Sequence, residues 1–167
     1  LEVTRLLPIV FVAVSDPVGR GFVANLARPG GNTTGFSIFE YSFSGKWLGL
    51  LKQIAPRVTR VAVIRDALNP SGMGQFAAIQ SVASSSGVEL TPNGVRNSNE
   101  IERDVTAFAR GPNGGLIVTS NTLAILDSNL IITLAARHKL PAVYPYRFFA
   151  NSGGLISYGP DVSLSLI

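Results

Sequence analysis

The feature that most constrains this chain is a set of short, continuously apolar runs, residues 9–14, 61–64 and 116–118, each bounded by turn residues. A strand with one wet face alternates apolar and polar residues. A strand that is apolar throughout must be covered on both faces, as in a parallel sheet flanked by helices. The runs are far too short to cross a bilayer. From Arg60 onward such strands alternate with segments of helical spacing, the signature of an α/β fold with an open, doubly wound parallel sheet. Right-handed crossovers then bring every loop that follows a strand to one edge of that sheet.

In chain order, a strand over 7–14 leads through Ser15-Asp16-Pro17 into a predicted short helix over 18–27, a βα unit with no strand before it. Arg28-Pro29-Gly30-Gly31-Asn32-Thr33-Thr34-Gly35 then stops the helix, turns the chain and starts a strand over 33–38, because proline ends helices and glycine opens positive φ. A helix from Ser44 is expected to bury Trp47, Leu50, Leu51 and Ile54. The strand over 60–65 exits through Asp66-Ala67-Leu68-Asn69-Pro70 into a helix with Phe76, Ile79 and Ala83 inward. The more polar strand over 88–95 reads as a sheet edge, and the helix after Asn97-Ser98 buries Ile101, Val105 and Phe108. The strand over 116–119 exits through Ser120-Asn121-Thr122 into a helix with Leu123, Leu126, Leu130 and Leu134 inward. A strand over 142–146, an irregular Arg147-Phe148-Phe149, a strand over 155–158 and the start of a helix at 159–161 complete the chain.

The 167 residues, 46% hydrophobic and 14% charged, describe a well-packed globule of one or two domains. The formal charge of +4 is scattered singly, with no basic cluster interleaved with aromatics, so nucleic acid is not an expected partner. With no cysteine, disulfides, thiolate catalysis and cysteine-bound metal are excluded, while the compartment stays open. Leu1 is not preceded by methionine or a basic, apolar leader, which suggests a mature form or a fragment.

Catalytic chemistry finds little footing. Gly19-Arg20-Gly21-Phe22-Val23-Ala24, with Glu40 further on, resembles a dinucleotide fingerprint, but four residues separate strand from first glycine and Pro29 ends the helix early. His138 stands alone between Arg137 and Lys139 at a helix end, with neither a metal set nor a nucleophile to serve. No catalytic residue, metal or cofactor is therefore expected.

The strand exits are more promising. Asp16 and Asp66 each follow a strand, where a carboxylate either caps the next helix or receives a ligand ammonium. Ser120 and Asn121 suit both a helix cap and a bound carboxylate. Tyr144, Tyr146, Phe148 and Phe149 fill the core or form an apolar wall.

Several segments together resemble ABC-transporter substrate-binding proteins of the tryptophan/tyrosine type: Ser15-Asp16-Pro17-Val18, Leu26-Ala27-Arg28-Pro29-Gly30-Gly31-Asn32-Thr33-Thr34-Gly35, Leu50-Leu51-Lys52-Gln53-Ile54-Ala55-Pro56, Arg60-Val61-Ala62-Val63, Asn69-Pro70 and Gly153-Gly154-Leu155-Ile156-Ser157-Tyr158-Gly159-Pro160-Asp161. The resemblance implies a type I periplasmic-binding fold, in which two α/β lobes close on a small ligand, each with a flavodoxin-like strand order. It implies that 1–31 is the terminal βα unit of an N-terminal lobe, 32–158 the C-terminal lobe with a crossover at 28–35, and 159–167 the return crossover with the start of a truncated helix. By position, the implied ligand-lining residues are Ser15, Asp16, Asp66, Asn69, Ser120, Asn121, Tyr146 and Phe148. The implied hinge residues are Gly30, Gly31, Gly35, Tyr158 and Gly159. An ABC permease partner and a periplasmic or extracellular, lipid-anchored location also follow from the resemblance.

The leading functional expectation is a non-enzymatic solute-binding component of an import system, holding an amino acid or another small organic ligand. The rivals are a ligand-sensing domain of a regulator or receptor, and a nucleotide-dependent enzyme. The strand over 9–14 has no sheet of its own in this reading, and burying it is worth on the order of 10 kcal/mol at most. A homodimer, a swapped contact or further sequence is expected to cover it.

Overall fold

The computed structural model describes residues 7–160. The expected helix start at Asp161 and the rest of the return segment to Ile167 lie outside the described residues. The chain divides into two compact units, the first ending at Tyr41 and the second beginning at Ser42.

In the first unit, β1 (Ile9–Ser15) pairs in parallel with β2 (Thr33–Phe39). This corrects two expectations. The strand over 9–14 has a partner within the chain, and the strand expected in the C-terminal lobe belongs with β1, so the boundary falls after Tyr41 rather than after residue 31. The predicted helix over 18–27 is also absent from the described residues, which form turns there. The Pro17 carbonyl accepts from both Phe22 and Val23, and the Gly21 amide donates to Val18 across a positive φ of 70°. Proline and glycines so close together favour tight turns over a continuous helix. Without that helix the glycine pattern at 19–24 offers no helix N-terminus for a pyrophosphate.

Parallel pairing exposes much of this small sheet. Val10, Val12 and Phe36 are 61%, 69% and 71% exposed, and the register sets Val12 opposite Phe36. A two-stranded sheet is too small to bury both of its faces.

The second unit is a five-stranded parallel sheet built from β3 (Arg60–Asp66), β4 (Glu89–Val95), β5 (Gly114–Val118), β6 (Ala142–Tyr144) and β7 (Ile156–Ser157) in the order β4-β3-β5-β6-β7. This is the expected flavodoxin-like arrangement. The polar strand β4 lies at the edge, where Pro92 costs the sheet little because a proline lacks the N–H that an inner strand needs. Helices α1 (Ser44–Ile54) and α2 (Pro70–Ala83) pack against one face. On the other face, α3 (Ser98–Phe108) and α5 (Ser128–Arg137) join Ala62, Ile64, Leu116 and Val118 in one core cluster. With both faces covered, Val61 to Ile64 and every residue of β5 are buried, which is why these runs are apolar without alternation.

Two helices bury other faces than their spacing predicts. In α1 the buried set is Ser44, Trp47, Leu48 and Leu51, while Ile54 is exposed. Trp47 is fixed by a 2.6 Å hydrogen bond from its indole N–H to the Tyr158 carbonyl, and Leu48 takes the place expected of Leu50. The helix expected from Leu123 to Leu134 breaks at Asp127 into α4 (Thr122–Leu126) and α5, leaving Leu126 exposed. The Asp127 carboxylate accepts a 2.8 Å bond from the Ser98 hydroxyl, a partner distant in sequence. The stretch expected to be irregular after β6 forms a short helix, α6 (Arg147–Asn151), with Phe149 stacked on Tyr144 at 5.0 Å.

Candidate functional site at the strand exits

Beyond its core, β3 parts company with one of its neighbours. It remains paired to β4 as far as Asp66 and Val95, but its ladder to β5 stops at Ile64 and Val118. One further pair of bonds follows, from the Thr119 N–H and hydroxyl to the Ile64 carbonyl at 2.9 and 3.0 Å. This is the point where the strand order reverses and successive crossovers leave in opposite directions, the place at which open α/β sheets bind their ligands. The exits of β3, β5 and β6 meet there.

The β5 exit is the most tightly built of the three. Thr119, Ser120 and Asn121 are all buried. Asn121 caps α4 by accepting from the Ala124 N–H at 2.7 Å, and its amide nitrogen donates to the Thr119 carbonyl and hydroxyl at 3.0 and 3.2 Å. The Ser120 N–H donates to Gln75 Oε1 at 2.7 Å, and the Ser120 carbonyl accepts from Gln75 Nε2 at 3.1 Å. The Ser120 hydroxyl is hydrogen-bonded to the Tyr146 hydroxyl. Tyr146, buried where β6 ends, stacks on the half-buried Phe148 at 5.8 Å, and Phe148 stacks on Phe149 at 4.5 Å. Four of the expected residues, Ser120, Asn121, Tyr146 and Phe148, are thus brought together.

At the β3 exit, half-buried Asp66 accepts from the Leu68 N–H at 2.8 Å, and Asn69 caps α2 through the Ser71 N–H at 3.0 Å. Beside them the Nε of Arg65 is buried without a hydrogen-bond partner. In the first unit, Ser15 ends β1 opposite Phe39, and Asp16 takes a positive φ of 48° while its carboxylate accepts from the Gly19 N–H at 3.0 Å. Each of these carboxylates and amides therefore has turn or cap duty, with lone pairs left over for a ligand.

The expected hinge residues fall in different settings. Gly30 and Gly31 hold positive φ of 71° and 67° in the turn before β2, and Gly35 lies inside β2. All three are inside the first unit, not on the connection between the units. Tyr158 is bound on both sides, its N–H to the Tyr144 carbonyl and its own carbonyl to Trp47. Its ring stacks on Phe43 at 6.1 Å and its hydroxyl accepts from Lys46 at 3.1 Å.

Gln75 is the residue that sequence reasoning missed. Its signal was present: it shares a helical stripe with Ile79 and Ala83, where a polar residue needs a buried partner. Two cavities lie away from the exits. One of about 370 Å³ is lined by Ile132, Ala135, Leu140, Tyr144 and Leu155, and one of about 270 Å³ by Arg57, Val58, Asn113, His138 and Lys139. Neither gathers the convergent hydroxyl, amide and aromatic groups of the exits. Among the described residues no group of three His, Asp or Glu side chains gathers to hold a metal ion, and no helix is long and apolar enough to cross a membrane.

Comparison with known proteins fits this geometry. A "Tyrosine-binding protein" of Clostridioides difficile is 27% identical over 158 residues, 95% of this chain and 45% of that protein. A ligand-free, open substrate-binding protein with adhesive properties from Clostridium difficile superposes with a TM-score of 0.71 at 28% identity, covering 92% of this chain and 51% of the other. An ABC domain from Streptococcus pneumonia in complex with L-Trp gives a TM-score of 0.78 at 23% identity, covering 93% of this chain and 53% of the other. The chain therefore spans about half the length of these relatives. The matched family and the Clostridium difficile structure are described as substrate-binding proteins, not as enzymes, which speaks against the nucleotide-dependent enzyme. Residues 2–163 match the family described as ABC transporter substrate binding protein, and the chain belongs to that family.

Proposed function

We propose that this chain recognises an amino acid with an aromatic side chain for an ABC import system, and that the strand exits of its second unit form one wall of the site. The observation that carries the reading is the group at the strand exits beyond the end of the β3–β5 ladder, where the Ser120 hydroxyl is bonded to that of Tyr146, Tyr146 is stacked on Phe148, and Asn121 caps α4 next to Ser120. Phe148, half-buried and stacked on both Tyr146 and Phe149, offers its remaining exposed surface to an aromatic side chain. The half-buried Asp66 carboxylate suits the ammonium, with Asn69 beside it as an amide partner. Ser15 and Asp16 are the corresponding groups of the first unit. The named ligands of two relatives, tyrosine and L-Trp, support this choice. Family membership supports an ABC permease as the partner and a location outside the cytoplasmic membrane.

Thermal unfolding of the full-length protein tests this. L-tyrosine or L-tryptophan at about a hundred times its Kd should stabilise by about 2.7 kcal/mol and raise Tm by several degrees. Asp66→Ala or Asp16→Ala should remove most of the shift. A panel of amino acids that leaves Tm unchanged would overturn the proposal.

A further inference from the structure

We infer that Gln75 is the positioning residue of the site, holding the β5 exit so that Tyr146 and Phe148 stand ready for an aromatic ligand; this rests on the reading above. Where β5 separates from β3, the peptide groups of Ser120 lose the strand that would have paired them. Gln75 takes over that role from α2. Its Oε1 accepts from the Ser120 N–H at 2.7 Å and its Nε2 donates to the Ser120 carbonyl at 3.1 Å, so the side chain repeats the donor and acceptor of a missing strand. The Gln75 side chain is completely buried, so water is not there to replace either bond.

The constraint is passed on. With its backbone fixed, Ser120 directs its hydroxyl to that of Tyr146, and the Tyr146 ring, oriented by that bond, stacks on Phe148. Phe148 is the half-buried member at the end of this series, the ring with surface left for a ligand. Gln75 touches neither Tyr146 nor Phe148 through a hydrogen bond, so its effect on binding runs through Ser120. The β3–β5 ladder has already ended at Val118. The bonds thus serve the exit loop more than the sheet.

The test uses the full-length protein, with L-tyrosine and L-tryptophan titrated calorimetrically below the melting temperature of every variant. Gln75→Met keeps the volume and loses both bonds; it should weaken binding about tenfold. If Gln75 acts through the aromatic wall, adding Gln75→Met to Phe148→Ala should cost little beyond Phe148→Ala alone, because residues acting in series are not additive. Gln75→Glu supplies the second variant. Its protonated carboxyl restores the donor-and-acceptor pair, so its affinity relative to wild type at the same pH, a ratio in which the titration of Asp16 and Asp66 cancels, should rise towards one as the pH is lowered. A Gln75→Met protein that binds within about twofold of wild type, or losses that add in the double variant, would overturn the inference. If Gln75→Met fails to fold, a ratio of Gln75→Glu to wild-type affinity that does not change with pH overturns it instead. Wild-type protein that binds neither amino acid would overturn the underlying function as well, whereas wild-type binding with an unaffected Gln75→Met removes this inference alone.

Discussion

At the scale of single residues, the missing Cβ of glycine serves two separate ends in the first strand pair. Gly35 lies where β1 and β2 approach closely: a Cβ there would sit 2.0 Å from the Phe11 carbonyl oxygen. Gly31 has open space around that position but a φ of 67°. Gly35→Ala should therefore force the strands apart and cost about 3 kcal/mol or more, whereas Gly31→Ala should cost about 1 kcal/mol through backbone strain. Chemical denaturation of the two variants separates the cases, and equal losses would contradict the strand pairing. Tyr144 gives a second residue-level expectation. Burial pushes its phenol from 10.0 up to about 12. The folded state thus holds the neutral phenol where the unfolded chain ionises it, a stabilisation fully present below pH 10 and lost as the pH rises through about 12. The loss should be on the order of 2 kcal/mol, and the alkaline unfolding curve of Tyr144→Phe should be flatter across that window.

At the scale of elements, what the sequence made legible was what local pattern dictates. The apolar runs of β3 and β5, the polar edge strand β4, and the stripe of Ile101, Val105 and Phe108 on α3 all read correctly, because burial on two faces, one face or an edge leaves a different mark in each. The misses depend on distant partners. Nothing near Asp127 announces its bond to Ser98 where the helix breaks, nothing near Thr33 announces that β2 will pair with β1, and nothing near Trp47 announces its bond to Tyr158. The candidate site divides in the same way. The polar exits were visible as Asp66, Asn69, Ser120 and Asn121, but the bonds that join Ser120 to Gln75 and Tyr146 cross α2, β5 and β6. Asn121 shows how an element and the site share a residue: it caps α4 and ties down Thr119. Asn121→Ala should cost about 1–2 kcal/mol of stability, measured by denaturant midpoint, and also weaken ligand binding. Unchanged stability would contradict the cap.

At the scale of the whole molecule, the second unit carries a flavodoxin-like sheet with its strand exits at the strand reversal, and the first carries a parallel strand pair with exposed apolar residues. Family membership gives this arrangement its meaning as part of a substrate-binding protein. The central claim is that the solute meets the second unit at the exits of β3, β5 and β6, not at either cavity. Hydrogen–deuterium exchange of the full-length protein with and without L-tyrosine tests it most directly. Slower exchange is predicted in residues 66–72, 119–124 and 146–149. Protection confined to the cavity residues Leu140, Tyr144 and Leu155, or no change anywhere, would contradict it.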